Sequence, residues 1–228
     1  MRTLPRNDPR QYDDLVDEWW APRGGFAMLH WIAAARATRI PAGGGLLVDL
    51  ACGGGLLAPH VNGYRHVGLD LSAPALQQAR EHGVTPVRAD VLRLPLRDEV
   101  ADVVVAGEVL EHVTDLAAAV REACRVLRPG GTLVIDTIAD TWFGRFSSIT
   151  VGERLPAGPP KRLHDPDLYV DRQELRDLCA KEGVELELAG LRPSVPDYLL
   201  WLVGRRQDVR MRTTGSTAGL FQAWGTKR

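Results

Sequence analysis

Five short apolar runs, at 46–50, 66–69, 84–87, 101–106 and 132–138, are each followed by a turn and then by helix-forming sequence. Runs this continuous suit strands covered on both faces, because a strand with one wet face would alternate apolar and polar residues. Strands that alternate with helices need right-handed crossovers and so pair mostly in parallel. The pattern predicts an α/β, doubly wound, Rossmann-like fold. Two further stretches, about 184–191 and 220–224, bring the expected sheet to seven strands, with a C-terminal antiparallel one.

Local signals place the helices between these strands. Ser72 reads as an N-cap with Pro74 in the first turn, and Asp115 or Thr114 opens a helix with Leu116, Ala119, Val120, Ala123, Cys124 and Leu127 on one face. Pro129-Gly130-Gly131 stops it. Asp171 and Glu174 form a capping-box variant ahead of a helix that runs to Lys181. Helical spacing also joins Tyr12, Leu15, Val16, Trp19 and Trp20, and a second helical stretch covers 26–39. The chain of 228 residues thus reads as one domain. It comprises N-terminal helices (1–42), a cofactor-binding core (43–138), a lid or substrate insertion (139–170), and a C-terminal helix with strands (171–228).

Composition narrows the partners. With 28 basic and 29 acidic residues the net charge is −1, too little to grip a polyanion, so no nucleic-acid partner is expected. No apolar stretch nears the roughly 20 residues of a bilayer span, and 1–10 is too polar for a secretory leader. The expected location is cytoplasmic, with peripheral contact at the inner membrane face as a further option. Cys52, Cys124 and Cys179 are scattered, so neither a disulfide framework nor a zinc cluster is expected.

The chemistry concentrates at the strand ends. The first strand runs into Asp49-Leu-Ala51-Cys52-Gly53-Gly54-Gly55, and glycines there let the backbone turn tightly beside a ligand. Gly53-x-Gly55-x-x-Ala58 alone would pass for a dinucleotide fingerprint. Asp49 argues otherwise, since a carboxylate there repels a pyrophosphate but suits an ammonium. Asp70 follows the second strand, about 20 residues on, where an acid can accept both ribose hydroxyls. Asp90 follows the third and suits an exocyclic amine such as adenine's. Singly, each acid reads as well as a strand-end cap. Three in succession after a glycine turn describe one ligand with an ammonium, a ribose and an adenine, namely S-adenosylmethionine.

These motifs, with Asp102-Val-Val-Val and Leu127-Arg-Pro-Gly-Gly131, resemble the class I S-adenosylmethionine-dependent methyltransferases. More narrowly, Tyr12-Asp-Asp-Leu, Trp19-Trp20, Leu29-His30, Arg36, Glu108-Val-Leu-Glu111-His112-Val113, and the stretch from Gly152-Glu153 to His164-Asp165 resemble the ubiquinone-biosynthesis O-methyltransferases, which methylate polyprenyl catechols and hydroquinols. The resemblance implies that Arg36 meets the methionine carboxylate or forms the adjacent pocket wall. It also implies cofactor contacts at Ala51, where the family has glycine, at Asp70, and at Gly107, where the family has a bulkier apolar residue. Cys52, Gly53 and Gly55 of the turn, with Leu71 and Val91 beside the second and third acids, complete the expected contacts.

Glu108, Glu111 and His112 follow the fourth strand. In a helical turn such spacing brings two carboxylates and an imidazole to one face, fit for a base or for one divalent ion. The resemblance implies Mg²⁺; the residues alone fit equally a helix N-terminus without metal. A phenol has a pKa of about 10, so an acceptor of that kind needs a base or a bound cation. His112 is the expected general base, with Glu108 orienting it or binding metal, and His164 a second candidate in the insertion.

The expected activity is methyl transfer from S-adenosylmethionine to a phenolic, catechol or hydroquinol oxygen of a small aromatic molecule. Tailoring of an aromatic natural product is the alternative, and a nucleobase methyltransferase a more distant one, since Gly107-Glu108-Val109-Leu110 stands where a base-flipping tetrad would. Trp142, Phe143 and Phe146, among Arg145, Arg154, Lys161 and Arg162, are expected to cap an apolar substrate or rest on a membrane surface. The sequence fixes no oligomeric state.

Overall fold

In a computed structural model, residues 4–228 are described; the first three residues of the expected N-terminal segment lie outside them. The sheet has eight strands in the order β3-β2-β1-β4-β5-β8-β6-β7. These are β1 (Gly45–Leu50), β2 (Tyr64–Asp70), β3 (Thr85–Arg88), β4 (Ala101–Gly107), β5 (Leu127–Ile138), β6 (Glu187–Pro193), β7 (Met211–Thr214) and β8 (Leu220–Thr226). The first five pair in parallel, and β8 joins β5 and β6 antiparallel. The expected seven strands are therefore corrected to eight. The addition is β7, an edge strand paired antiparallel to β6. Its sequence, Met-Arg-Thr-Thr, carries no apolar run, because an edge strand has one neighbour and little to bury.

Both faces of the sheet are covered, as the unbroken apolar runs require. Along β1, Val48 and Leu50 face one side and Leu47 the other, and all three are buried. The first side packs on α4 (Leu116–Val126) and α6 (Arg172–Lys181) through Ala119, Val120, Cys124, Leu175 and Cys179. The other packs Leu47, Val103, Val105 and Val134 against Leu57, Ala37 and Trp224. Each such Val or Leu side chain contributes roughly 1.5–3 kcal/mol on burial.

Capping follows the sequence signals. Ser72 accepts from the Ala75 amide at the head of α3 (Ala73–Glu81), Asp115 from Ala118 at α4, and Asp171 from Gln173 and Glu174 at α6. One boundary moved. α4 ends at Val126, and Leu127 already pairs with Ala101, so Pro129-Gly131 lies within the opening of β5 rather than marking the helix stop.

The N-terminal stretch is broken into α1 (Arg10–Asp14) and a 3-10 turn (Val16–Glu18), followed by α2 (Ala27–Ala37). The 139–170 insertion forms α5 (Trp142–Arg145), a π turn (Phe146–Val151) and 3-10 turns at Gly152–Arg154 and Pro166–Leu168. Between β6 and β7 lies α7 (Val195–Leu202). Among the described residues no helix is long and apolar enough to cross a membrane, and all three cysteines are free and buried.

Candidate active site

Strand order reverses between β1 and β4, and the carboxyl ends of strands on either side of such a reversal leave a crevice. A cavity of about 790 Å³ opens there. Asp49, Ala51, Cys52, Asp70, Leu71, Asp90, Val91 and Gly107 line it, as do Arg36, Glu108 and His112. Two expected contacts do not: Gly53 and Gly55 are absent from its wall. Gly53 has a φ of +51°, and a Cβ there would enter the Trp19 indole, so this glycine serves the packing of Trp19 under the turn. Gly55 backs onto Ala79 and Val84.

The three strand-end acids differ in setting. Asp49 is buried and accepts from His66 Nε2 at 3.2 Å. Asp70 accepts from the Gly53 and Ser72 amides at 2.9 and 2.8 Å; burial raises its pKa, and these bonds oppose the rise. Asp90 is exposed and accepts from the Leu92 amide at 2.9 Å. Ala51 holds a φ of +53°, a conformation that costs an L-residue roughly 1–2 kcal/mol, which accounts for the family's glycine there.

Arg36 reaches from α2 across Gly107 to Asp136 of β5, with Nε and Nη2 donating to the two carboxylate oxygens at 2.5 and 2.7 Å. Burial opposes the guanidinium charge, but Asp136 outweighs it and holds Arg36 firmly cationic. This ion pair explains Gly107. A Cβ at that position would fall inside the guanidinium, so the bulkier side chain usual in the family has no room here. Asp136 takes two of the five guanidinium N–H groups, and Arg36 lines the cavity with the remaining donors.

The expected convergence of Glu108, Glu111 and His112 is corrected. Glu108 is not helical: its φ is +52°, and the short 3-10 turn begins only at Leu110. Burial, Glu111 and Asp136 push its carboxyl well above the usual range. Glu111 does not line the cavity. It is buried, accepts from the Thr137 hydroxyl at 2.6 Å, and is pushed up to about 7, chiefly by burial. His112 spends both ring nitrogens, Nδ1 on Asn7 at 2.5 Å and Nε2 on Tyr12 at 3.2 Å. Among the described residues, the groups that do gather within 4.8 Å are Glu111, His112 and His164. One oxygen and two nitrogens, one imidazole already engaged on both sides, do not suit Mg²⁺, which demands an octahedron of oxygens. The residues do not fit the ion.

His164 stacks over His112 with ring centroids 5.0 Å apart. Burial takes its pKa down to about 4, with Glu153 opposing and Arg6 assisting. Burial, with His164 nearby, also drives His112 well below its ordinary value, so the imidazole is neutral at neutral pH. The insertion delivers Phe143, Ser148, Leu155 and Leu163, besides His164, to the cavity wall.

Asp136, His66 and Asn7 escaped the sequence reading. For Asp136 a signal existed, because an acid inside the apolar 132–138 run must be paired if that strand is buried. His66 passed as the first residue of a strand. Nothing local distinguishes Asn7.

The methyltransferase domain model matches residues 48–135, from β1 into β5. The ubiquinone biosynthesis O-methyltransferase of Thiobacillus denitrificans is 30% identical over 200 residues, covering 82% of this chain and 86% of that protein. That of Alkalilimnicola ehrlichii is 32% identical over 196 residues, covering 80% and 79%. Among solved structures, an S-adenosylmethionine-dependent methyltransferase of Thermotoga maritima, described as a possible histamine N-methyltransferase, superimposes with a TM-score of 0.69 at 22% identity, covering 96% of this chain and 97% of that one. That likeness speaks to the fold, which agrees with the strand order and with the crevice at the reversal. Identity and coverage among the relatives, together with this crevice, establish that the chain belongs to the ubiquinone biosynthesis O-methyltransferase family and is an S-adenosylmethionine-dependent methyltransferase.

Proposed function

We propose that the enzyme methylates a phenolic hydroxyl of a catechol or hydroquinol, with His112 as general base. The observation that carries this reading is a neutral imidazole bordering the same cavity as three strand-end carboxylates. In the proposed pose the methionine ammonium meets Asp49, the ribose hydroxyls Asp70 and the adenine amine Asp90. Arg36, Ala51, Cys52, Leu71, Val91 and Gly107 form the wall. The volume of about 790 Å³ lies toward the upper end of the roughly 300–1,000 Å³ of single-ligand pockets, which supports a second ligand beside the cofactor.

Methyl transfer is an in-line displacement that quenches positive charge on sulfur, so the protein's task is to hold oxygen, methyl and sulfur collinear and to receive the acceptor's proton. His112 takes the part of base because its Nε2 meets the Tyr12 hydroxyl in the cavity wall, and Glu108, which lines the same wall, takes an orienting part. Assays of catechols and hydroquinols with methyl-labelled S-adenosylmethionine test the reading. Product on a phenolic oxygen, undiminished by EDTA, is expected; transfer only to nitrogen or carbon acceptors would overturn it. Asp70→Ala is expected to weaken S-adenosylmethionine binding by roughly 1.5–3 kcal/mol through loss of charged hydrogen bonds. Calorimetry showing unchanged affinity would mean the ribose lies elsewhere.

The reading extends to an acceptor that resides at a membrane surface. Trp142 is 77% exposed and stacks on exposed Phe146, and Val195 and Leu199 of α7, with Val203 just past its end, are exposed as well. Arg145 and Arg154 lie on the same insertion, as at an interfacial helix. Flotation with vesicles containing phosphatidylglycerol is expected to carry the protein upward, and Trp142→Ser with Phe146→Ser to abolish this. Wild-type protein left at the bottom would point to a water-borne acceptor.

A further inference from the structure

Asn7 gives both ends of its amide to one residue. Its Nδ2 donates to the His112 carbonyl at 2.9 Å, and its Oδ1 faces His112 Nδ1 at 2.5 Å. The first bond settles which way the amide points, so the second requires a proton on Nδ1 and leaves the lone pair on Nε2. That lone pair is met at 3.2 Å by the Tyr12 hydroxyl. Burial, with Glu111, Asp70 and Glu108 nearby, raises the phenol's pKa, so Tyr12 keeps its proton and donates it.

An acceptor entering the cavity therefore finds the base covered by a phenol. The Tyr12 ring stacks on Trp19 at 6.1 Å and on Phe26 at 6.2 Å, with interplanar angles of 17° and 16°, which keeps the hydroxyl in place. Asn7, Tyr12 and His112 all line the cavity, so a ligand there meets this hydrogen-bonded group.

We propose that Tyr12 is a proton relay between the acceptor's hydroxyl and His112, with Asn7 as the positioning residue that selects the receiving tautomer. The step rests on the O-methylation reading above. The acceptor oxygen forms its bond to the methyl carbon while the carbon–sulfur bond breaks and its electron pair goes to sulfur. The acceptor's proton passes to the Tyr12 oxygen as Tyr12's own proton passes to His112 Nε2. Tyr12 ends as it began, His112 becomes imidazolium, and the sulfonium becomes a neutral thioether.

The test compares an unactivated catechol with a nitro-substituted one already largely ionised at the assay pH, which needs no relay. Tyr12→Phe is expected to lower kcat at least about tenfold on the first, part of the 10²–10⁴ of general-base catalysis, with little change in KM. On the nitrocatechol it is expected to approach wild type. Asn7→Ala is expected to show the same contrast and Asn7→Asp, which retains an acceptor for Nδ1, a milder one. Calorimetric binding of S-adenosylmethionine checks that each variant is folded. Full kcat of Tyr12→Phe on the unactivated catechol would overturn the relay, and so would equal losses on both acceptors, which mark a packing role. A wild-type enzyme that methylates neither compound would overturn the O-methylation reading itself and the relay with it, whereas an unimpaired His112→Ala would overturn the relay alone.

Discussion

Replacing Asp136 with alanine is expected to destabilise the enzyme by about 3–5 kcal/mol, the usual cost of stranding one partner of a buried ion pair. Asp136 is fully buried and Arg36 is 7% exposed, so water cannot rescue the guanidinium. Glu108 will recover part of the loss. Its carboxyl, already influenced by Arg36, would serve as a substitute counter-ion, which places the expected cost toward the lower end. Urea unfolding of the single variants and of Arg36→Met with Asp136→Leu measures this. The double variant is expected to lie nearer wild type than either single one, because no charge is then buried alone. A loss below about 1 kcal/mol in Asp136→Ala, the range of exposed pairs, would show that the pair is not desolvated as described. Gly107→Leu should mimic the loss, since its side chain would occupy the guanidinium's space.

His112→Ala is expected to lower kcat by about 10² to 10⁴ while changing S-adenosylmethionine affinity by less than about threefold, or roughly 0.7 kcal/mol. The separation follows from position. The imidazole bonds to Asn7 and Tyr12, whereas the acids assigned to the cofactor sit at the ends of β1, β2 and just past β3. Single-turnover assays alongside calorimetry separate the two quantities. A variant with wild-type turnover would remove His112 as the base, and one that no longer binds cofactor would give the residue a structural part instead.

Asp49, Asp70 and Asp90 were legible as neighbours because they fall within the end of the first apolar run, directly after the second and three residues past the third, and a parallel sheet brings those ends to one cavity. The Glu108-Glu111-His112 arrangement misled for the opposite reason. Spacing implies a shared face only if the segment is helical, and the chain leaves β4 through a left-handed residue that breaks the turn. Gly107 carried a readable oddity without a readable cause, since the group that excludes a side chain there comes from α2.

Sequence alone determined the doubly wound sheet, its capped helices, and the crevice with its glycine turn, all of which depend on periodicity and on contacts between near neighbours. Tertiary structure decided the partners of the reactive groups. Arg36 meets Asp136 across 100 residues and His112 meets Asn7 across 105, and no local pattern encodes either meeting. Burial then tuned the acidities: it pushes the His112 pKa down and the Glu108 carboxyl up, shifts that depend on everything packed around them.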